Sequence, residues 1–465
     1  MLLQTFQRAA LPWRNAEIRP ILFSYFVVSI IYTLGIQLYG PFLRTMVSCE
    51  TPVAAGDFTG SAFCGDAAYV LSTAQAQEGA LVSMKLVVHA CAGPFLGSLA
   101  DRLGRKPMLL MSIGGFALAF FLFFVAAASI QHRSFAIVAV CFFIEGATNA
   151  FNVVYMSMLA DVSYVTDRAS AFAAYQMTGA ASQVLAQLIS VSILRTRLTT
   201  YTQVWLVQCA VLVFDVLFVW YATRETLTQL HDQKEQKIKN LTLDIIKGPF
   251  ELLRSERFLW IWLLSVMIMN LGNGLSGVLA SFTIAVYGWR PGDYQALAWM
   301  SKCLQTGSLA MLSPLVNSRW RPATIALFSV ATSIAGSFVQ VFSPLSPSLL
   351  FGPGYIMDLL SFTAPADAAF LSLQFDAEKQ ARVNAVQHFC LNISASISIA
   401  LFSSPALFKP EANMQTAMRP FVLTFVLASI GGATKAFLIR PHLRIGKTVP
   451  ATPERQTSEE LDHML

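Results

Sequence analysis

The chain reads as an all-α membrane protein of twelve transmembrane helices, arranged as two pseudo-symmetric six-helix bundles. Three observations predict this. Of 465 residues, 55% are hydrophobic and only 12% charged, with a mean hydropathy of +0.57. A soluble domain carries about a quarter charged residues, so this chain cannot cover itself with a water-compatible surface and takes lipid as its solvent. Apolar segments of roughly twenty residues, the length a bilayer core needs, recur along the sequence. One long charged stretch divides them six and six.

In the first half the segments fall near 20–43, 79–100, 108–129, 135–158, 169–194 and 201–223. In the second they fall near 258–286, 294–316, 322–344, 348–371, 383–407 and 418–440. An even number of spans puts both termini on one side. Of the 32 Lys and Arg, 22 then lie in segments on the side of the termini, 7 on the opposite side and 3 within spans. The positive-inside rule makes the terminal side cytoplasmic. The expected organisation is a cytoplasmic tail over 1–19, a bundle over 20–223, a cytoplasmic linker over 224–257, a second bundle over 258–440 and a tail over 441–465. The opening residues are interrupted by Arg8, Pro12, Arg14 and Arg19, so no cleavable signal is expected. The host membrane is the plasma membrane or that of an organelle.

The linker carries thirteen charged side chains, with Leu241, Ile245, Ile246, Leu252 and Leu253 at near-helical spacing. It reads either as a short amphipathic helix on the inner membrane surface or as a plain solvated connection. A displacement of about 215 residues brings Lys85 near Lys302, Glu145 near Asp358, Asp161 onto Asp376 and Arg168 near Arg382, as expected for a duplicated half.

Between the second and third spans the chain reads Gly97-Ser-Leu-Ala-Asp101-Arg102-Leu-Gly104-Arg105-Lys106-Pro107. Gly97 allows close helix approach, Gly104 supplies a positive-φ turn and Pro107 suits a first helical turn. The basic residues hold the loop inside, and Asp101 can face a helix N-terminus or a cation. This string, in the second inter-span loop of a six-plus-six chain, closely resembles the signature loop of the major facilitator superfamily. The resemblance implies the twelve-helix fold, alternating access and a central cavity lined by the first, fourth, seventh and tenth spans. It also implies a latching role for Asp101, Arg102, Gly104 and Arg105 in the outward-open state. The matching loop of the second half, Asn317-Ser-Arg319-Trp-Arg321-Pro322, lacks an acidic residue.

The segment Leu159-Ala-Asp161 through Asp167-Arg168 is similar to the fourth-to-fifth loop of the proton-coupled folate and haem carriers and tetracycline-resistance-like proteins. Asp376-Ala-Glu378-Lys379-Gln-Ala-Arg382 repeats it in the second half. Asp161, Arg168, Asp376 and Arg382 read as gate-side ion pairs or as solvated loop charges. Proton-driven drug exporters carry an arginine before a Gln-Gly pair in the fourth span and a Gly-Pro-x-x-Gly-Gly string in the fifth. Here those stretches read Phe143-Ile-Glu145-Gly146 and Gly179-Ala-Ala-Ser-Gln183, without the arginine or the proline. The departures favour a symport-like uptake carrier over an exporter.

An ionisable side chain at bilayer depth costs about 2.5–3.5 kcal/mol, so such groups are rare and mostly functional. Glu145, mid-fourth span, and Asp358, mid-tenth, are the first candidates for proton or substrate coupling; structural pairing with a neighbouring helix is the other reading. Asn149 and Asn152 follow Glu145 on one face. Lys85 and His89 sit one turn apart on the second span, placed to hold an anionic substrate or to pair with Glu145. Lys302 mirrors Lys85. Tyr32, Gln37, Asn270, Asn273, Gln387 and His388 complete a polar cavity. Asp215 reads as a packing or ion-pair residue, and Lys435 as one that snorkels. Cys49 and Cys64 share an outer loop and form a disulfide if that loop meets an oxidising compartment.

Cysteine spacing gives no metal site, and a net charge of +6 is too small for nucleic acid. No nucleophile–base constellation or cofactor motif is present, so no enzyme is expected. The expected partners are the bilayer, a small organic solute and protons as coupling ion, with the protein a monomer. A non-transporting sensor or scaffold is the remaining class, and buried Glu145, Asp358 and Lys85 count against it.

Overall fold

The protein is described from a computed structural model, over residues 15–48, 67–129, 135–162, 168–196, 199–226, 256–272, 275–308, 322–359, 377–404, 407 and 414–444. The first half consists of α1 (Ile18–Ser48), α2 (Ala67–Leu103), α3 (Arg105–Ala128), α4 (Phe135–Thr148), α5 (Phe151–Val162), α6 (Arg168–Thr196) and α7 (Tyr201–Ala222). The second consists of α8 (Arg257–Gly272), α9 (Leu275–Tyr287), α10 (Pro291–Gly307), α11 (Pro322–Gln340), α12 (Pro347–Leu359), α13 (Ala377–Phe402) and α14 (Met414–Arg444). The fold is all-helical, as expected. Among the described residues seven helices are long and apolar enough to cross a membrane, and three shorter apolar ones accompany them.

Within the first half α3 packs along α7 and α4, and α1 along α6, α2 and α7; in the second, α14 packs on α8 and α11. The halves meet where α2 lies on α13 and α9, and where α6 lies on α10. The first half's core is aromatic: Trp205 of α7 stacks on Phe120 and Phe123 of α3 at 5.7 and 5.0 Å. Large apolar side chains such as Tyr221 and Phe437 are exposed, which in lipid is the stable arrangement.

Two breaks in the helices have identifiable causes. The fourth apolar segment is not one helix but α4 and α5, interrupted at Asn149–Ala150. Ser112 of α3 fills the gap: its hydroxyl donates to the Thr148 carbonyl at 2.6 Å and accepts from the Ala150 amide at 3.2 Å. An inserted side chain of this kind replaces the lost ladder bonds and allows a kink. At the start of α3, Gly104 takes φ 107°, which a side chain would strain. Glu225 faces that helix start, its carboxylate accepting from the amides of Arg105 and Lys106 at 2.9 and 3.1 Å. A carboxylate there satisfies orphan amides and complements the helix dipole.

Helices α1 and α2 also extend well past the apolar segments that mark them, to Ser48 and back to Ala67. Arg44, Gln75 and Glu78, which the hydropathy pattern leaves in an outer loop, therefore stand inside helices. The linker helix around Leu241–Leu253 and the Cys49 and Cys64 pair lie outside the described residues.

Candidate functional site

A cavity of about 560 Å³ lies between the halves. Its wall includes Tyr32, Gln37 and Arg44 from α1, Glu78 and Lys85 from α2, and Gln187 from α6. From the second half come Tyr294 and Lys302 of α10, Gln340 of α11 and Tyr355 of α12. Aromatic faces, amides and charges of both signs thus meet in one space, the usual composition of a pocket for a polar organic ligand.

Lys85 of the cavity wall is paired with Glu145 of α4. Their side chains are 3% and 1% exposed, and Lys85 Nζ bonds Glu145 Oε1. The second carboxylate oxygen accepts from the Tyr39 hydroxyl at 2.6 Å. The ammonium also sits 4.8 Å from the Tyr32 ring centre and 5.3 Å from that of Tyr39, within the range of cation–π attraction. Lys85 is on the cavity wall and Glu145 stands behind it. A ligand anion entering the cavity therefore meets Lys85 first and competes with Glu145 for it.

The pair exists because α2 and α4 approach closely. Gly146 follows Glu145, and a Cβ there would lie 2.5 Å from the Lys85 carbonyl oxygen. Gly146→Ala is expected to push the helices apart, destabilise the protein by about 1–3 kcal/mol and weaken ligand binding. Thermal melting with and without ligand checks both.

A second polar tier crosses between the halves, towards the end of the bundle away from the termini. Arg44 Nη2 donates to Ser281 Oγ of α9 at 2.7 Å, Ser281 donates to Gln75 Oε1, and Gln75 Nε2 donates to Ser403 Oγ at 3.4 Å. Glu78 lies beside Gly40, where a Cβ would come 2.6 Å from its Oε2. Ser83 and Ser396 exchange hydroxyl-to-carbonyl bonds of 2.8 and 2.9 Å. On the rim, Arg195 reaches Asp293 at 3.3 Å. At the terminal end, by contrast, Arg105 Nε lies 3.4 Å from Asp161 Oδ2, which also accepts from Thr226 Oγ1 at 3.0 Å. Arg105 and Asp161 both belong to the first half, and Thr226 opens the segment that follows it.

The other sequence candidates scatter. Lys302 lines the cavity and donates to Gln305 Oε1 at 2.8 Å. His89 is half-buried on α2 one turn from Lys85, and Asn149 is buried at the α4–α5 break. Asn152 is exposed and accepts from the Tyr175 hydroxyl at 2.8 Å. Asn270 bonds the Leu391 carbonyl and Ser394 Oγ at 2.9 and 2.8 Å, tying α8 to α13. Gln387 is half-buried on α13, and Gly97 lies within α2. Asp358, His388, Asp101, Arg102, Arg168 and Arg382 stand on described helices, but their side chains are outside the described set, as are Asn273 and Asp376 altogether. Lys435 does not snorkel: it is 3% exposed, 5.1 Å from the Trp262 ring centre. Tyr39, Arg44, Gln75 and Glu78 were not legible as site residues, although Tyr39 follows Tyr32 by seven positions, two turns along one face.

A search of the curated proteins finds no match. Among solved structures, a bacterial homologue of the human lysosomal transporter Spinster, inward-facing and unoccupied, is 15% identical with TM-score 0.65, covering 95% of this chain and 99% of that one. A mutant of the nucleoside transporter NupG is 14% identical with TM-score 0.65, covering 90% and 100%. The human organic anion transporter MFSD10 (TETRAN) is 14% identical with TM-score 0.60, covering 89% and 99%. At such identities the likeness establishes the fold. Residues 21–399 match the Major Facilitator Superfamily itself. With most of its length matched and its cavity set between two helical halves, the chain belongs to the Major Facilitator Superfamily and is a membrane transporter rather than an enzyme.

Proposed function

We propose that the protein is a proton-coupled symporter that carries a small polar organic solute into the cytoplasm, with both termini on the cytoplasmic side. The observation that carries this reading is the buried Lys85–Glu145–Tyr39 cluster at the cavity wall. A proton bound by Glu145 dissolves the ion pair and leaves the Lys85 ammonium to an anionic or strongly accepting group of the solute. Solute and proton thus favour the same broken pair, which is what coupling in one direction needs. The Arg44–Ser281–Gln75–Ser403 tier supports a conformation closed on the outer side, in keeping with the inward-facing state of the Spinster homologue. The neighbours named for organic anions and for nucleosides support a polar organic cargo. The missing fourth-helix arginine and fifth-helix Gly-Pro support uptake over drug export.

A screen for small solutes that raise melting temperature supplies the substrate. In liposomes, an imposed inward proton gradient is then expected to accelerate its uptake. Glu145→Gln is expected to lose that stimulation while keeping solute exchange at equal pH. Indifference of the wild-type protein to the gradient would sink proton coupling, and stimulation only of outward movement against incoming protons would make it an exporter.

A further inference from the structure

The first half encloses a carboxyl that the cavity does not touch. Asp215 projects from α7 and is 1% exposed. Its Oδ2 accepts from Ser24 Oγ of α1 at 2.8 Å, while Oδ1 is buried with no hydrogen-bond partner. The Tyr155 hydroxyl of α5 lies 2.5 Å from Ser24 Oγ. Either hydroxyl can be the donor in that bond: beside an ionised Asp215 the chain of bonds runs Tyr155 to Ser24 to Asp215, and a proton on Oδ2 reverses it, Asp215 donating to Ser24 and Ser24 to Tyr155.

The groups around this chain are neutral. From α1 comes Tyr25, whose ring meets that of Tyr155 edge-on at 5.3 Å, and from α6 comes Tyr175, stacked on Tyr25 at 4.0 Å. The buried residues in the first half of α3, which packs along α7, are Met108, Leu109, Ser112, Ile113 and Phe116, none of them titratable. The cations at that end of α3 are engaged elsewhere, Arg105 with Asp161 and Lys106 with the Trp220 carbonyl at 2.7 Å. Arg19 is exposed at the start of α1. Among the described residues no ion pair reaches Asp215.

A carboxylate ion here would have one donor and no counter-charge among the described residues, and at 1% exposure it is shut off from bulk solvent. Burying such an ion costs far more than burying the neutral acid. We propose that Asp215 is a proton-binding site of the first bundle, separate from the Lys85–Glu145 pair, and that its bound proton keeps α1 seated on α5 and α7. Helix α1 carries Tyr32 and Tyr39 to the cavity, so this proton supports the substrate site from a distance. The inference is independent of proton coupling at Glu145.

Infrared spectroscopy of the full-length protein in lipid nanodiscs tests it through the carbonyl stretch of protonated carboxyls. At neutral pH, Asp215→Asn is expected to remove one such band that Glu145→Gln retains. Raising the pH until the band vanishes is expected to lower the melting temperature of the wild type and not of Asp215→Asn, because stability held by a bound proton is lost as that proton leaves. If Asp215→Asn does not fold, the same band is followed in protein labelled with 13C-aspartate, where Ser24→Ala is expected to shift it by removing its hydrogen bond. A protonated-carboxyl band indifferent to both Asp215→Asn and Ser24→Ala overturns the proposal.

Discussion

Lys85→Met and Glu145→Gln, made singly, are each expected to destabilise the protein by about 3–5 kcal/mol, the usual result of leaving one member of a buried ion pair without the other. The double variant is expected to recover most of that loss and still fail to use a proton gradient. Each single change strands a group buried to within a few per cent beside the rings of Tyr32 and Tyr39, which do not replace a lost counter-charge. Removing both charges removes the desolvation cost together with the attraction, so folding is restored and function is not. Tyr39→Phe provides the calibration. It deletes one bond of 2.6 Å to Glu145 and leaves the pair, so it is expected to cost less than either single variant, about 1.5–3 kcal/mol. Melting in detergent and gradient-driven uptake in liposomes, measured on the same four proteins, separate the two roles. A double variant no more stable than the singles would mean that the pair is not the coupled unit its geometry describes.

How much of this was legible in the sequence depends on what each residue contrasts with. Lys85 and Glu145 stand out because a charge at bilayer depth is rare, and the fold brings them together across 60 positions. Tyr39 does not stand out, since a tyrosine in an apolar helix is ordinary until its hydroxyl is seen on a carboxylate. Arg44, Gln75 and Glu78 were hidden for a different reason. Hydropathy marks where a helix crosses lipid, not where it ends, and the Ala- and Gln-rich stretch Ser72-Thr-Ala-Gln-Ala-Gln-Glu78 is as good a helix as an apolar one. The turn at Gly104 was legible from steric rules alone, but its anchoring by Glu225 joins positions 120 residues apart. The α4–α5 break turns on Ser112 of another helix and leaves no local mark in Thr148-Asn149-Ala150. Asp215 was read as a packing or ion-pair residue; its neutral surroundings exist only in three dimensions.

The tier at Arg44 leads to the second large effect. Arg44→Ala is expected to shift the balance of conformations towards the outward-open one by roughly 10- to 150-fold, the equivalent of one charge-assisted hydrogen bond of about 1.5–3 kcal/mol. Arg44 is 4% exposed, and its bond to Ser281 joins α1 of one half to α9 of the other. A closed conformation gains that bond and an open one cannot keep it, so the bond's whole strength acts on the equilibrium. With native cysteines replaced, Gln37→Cys on the cavity wall reports the shift through its rate of reaction with a membrane-impermeant thiol reagent added on the side away from the termini. The rate is expected to rise with Arg44→Ala, to rise less with Ser281→Ala, which leaves the guanidinium in place, and to fall part of the way back with Arg44→Lys, which restores charge without the planar fork. Combining Arg44→Ala with Glu145→Gln then tells closure from coupling. On the proposed reading the first changes how often the cavity opens outward and the second what must be bound before it does, so their effects on labelling and on gradient response are expected to be independent. Labelling unchanged by Arg44→Ala would place the closing free energy in the Ser83–Ser396 and α6–α10 contacts instead.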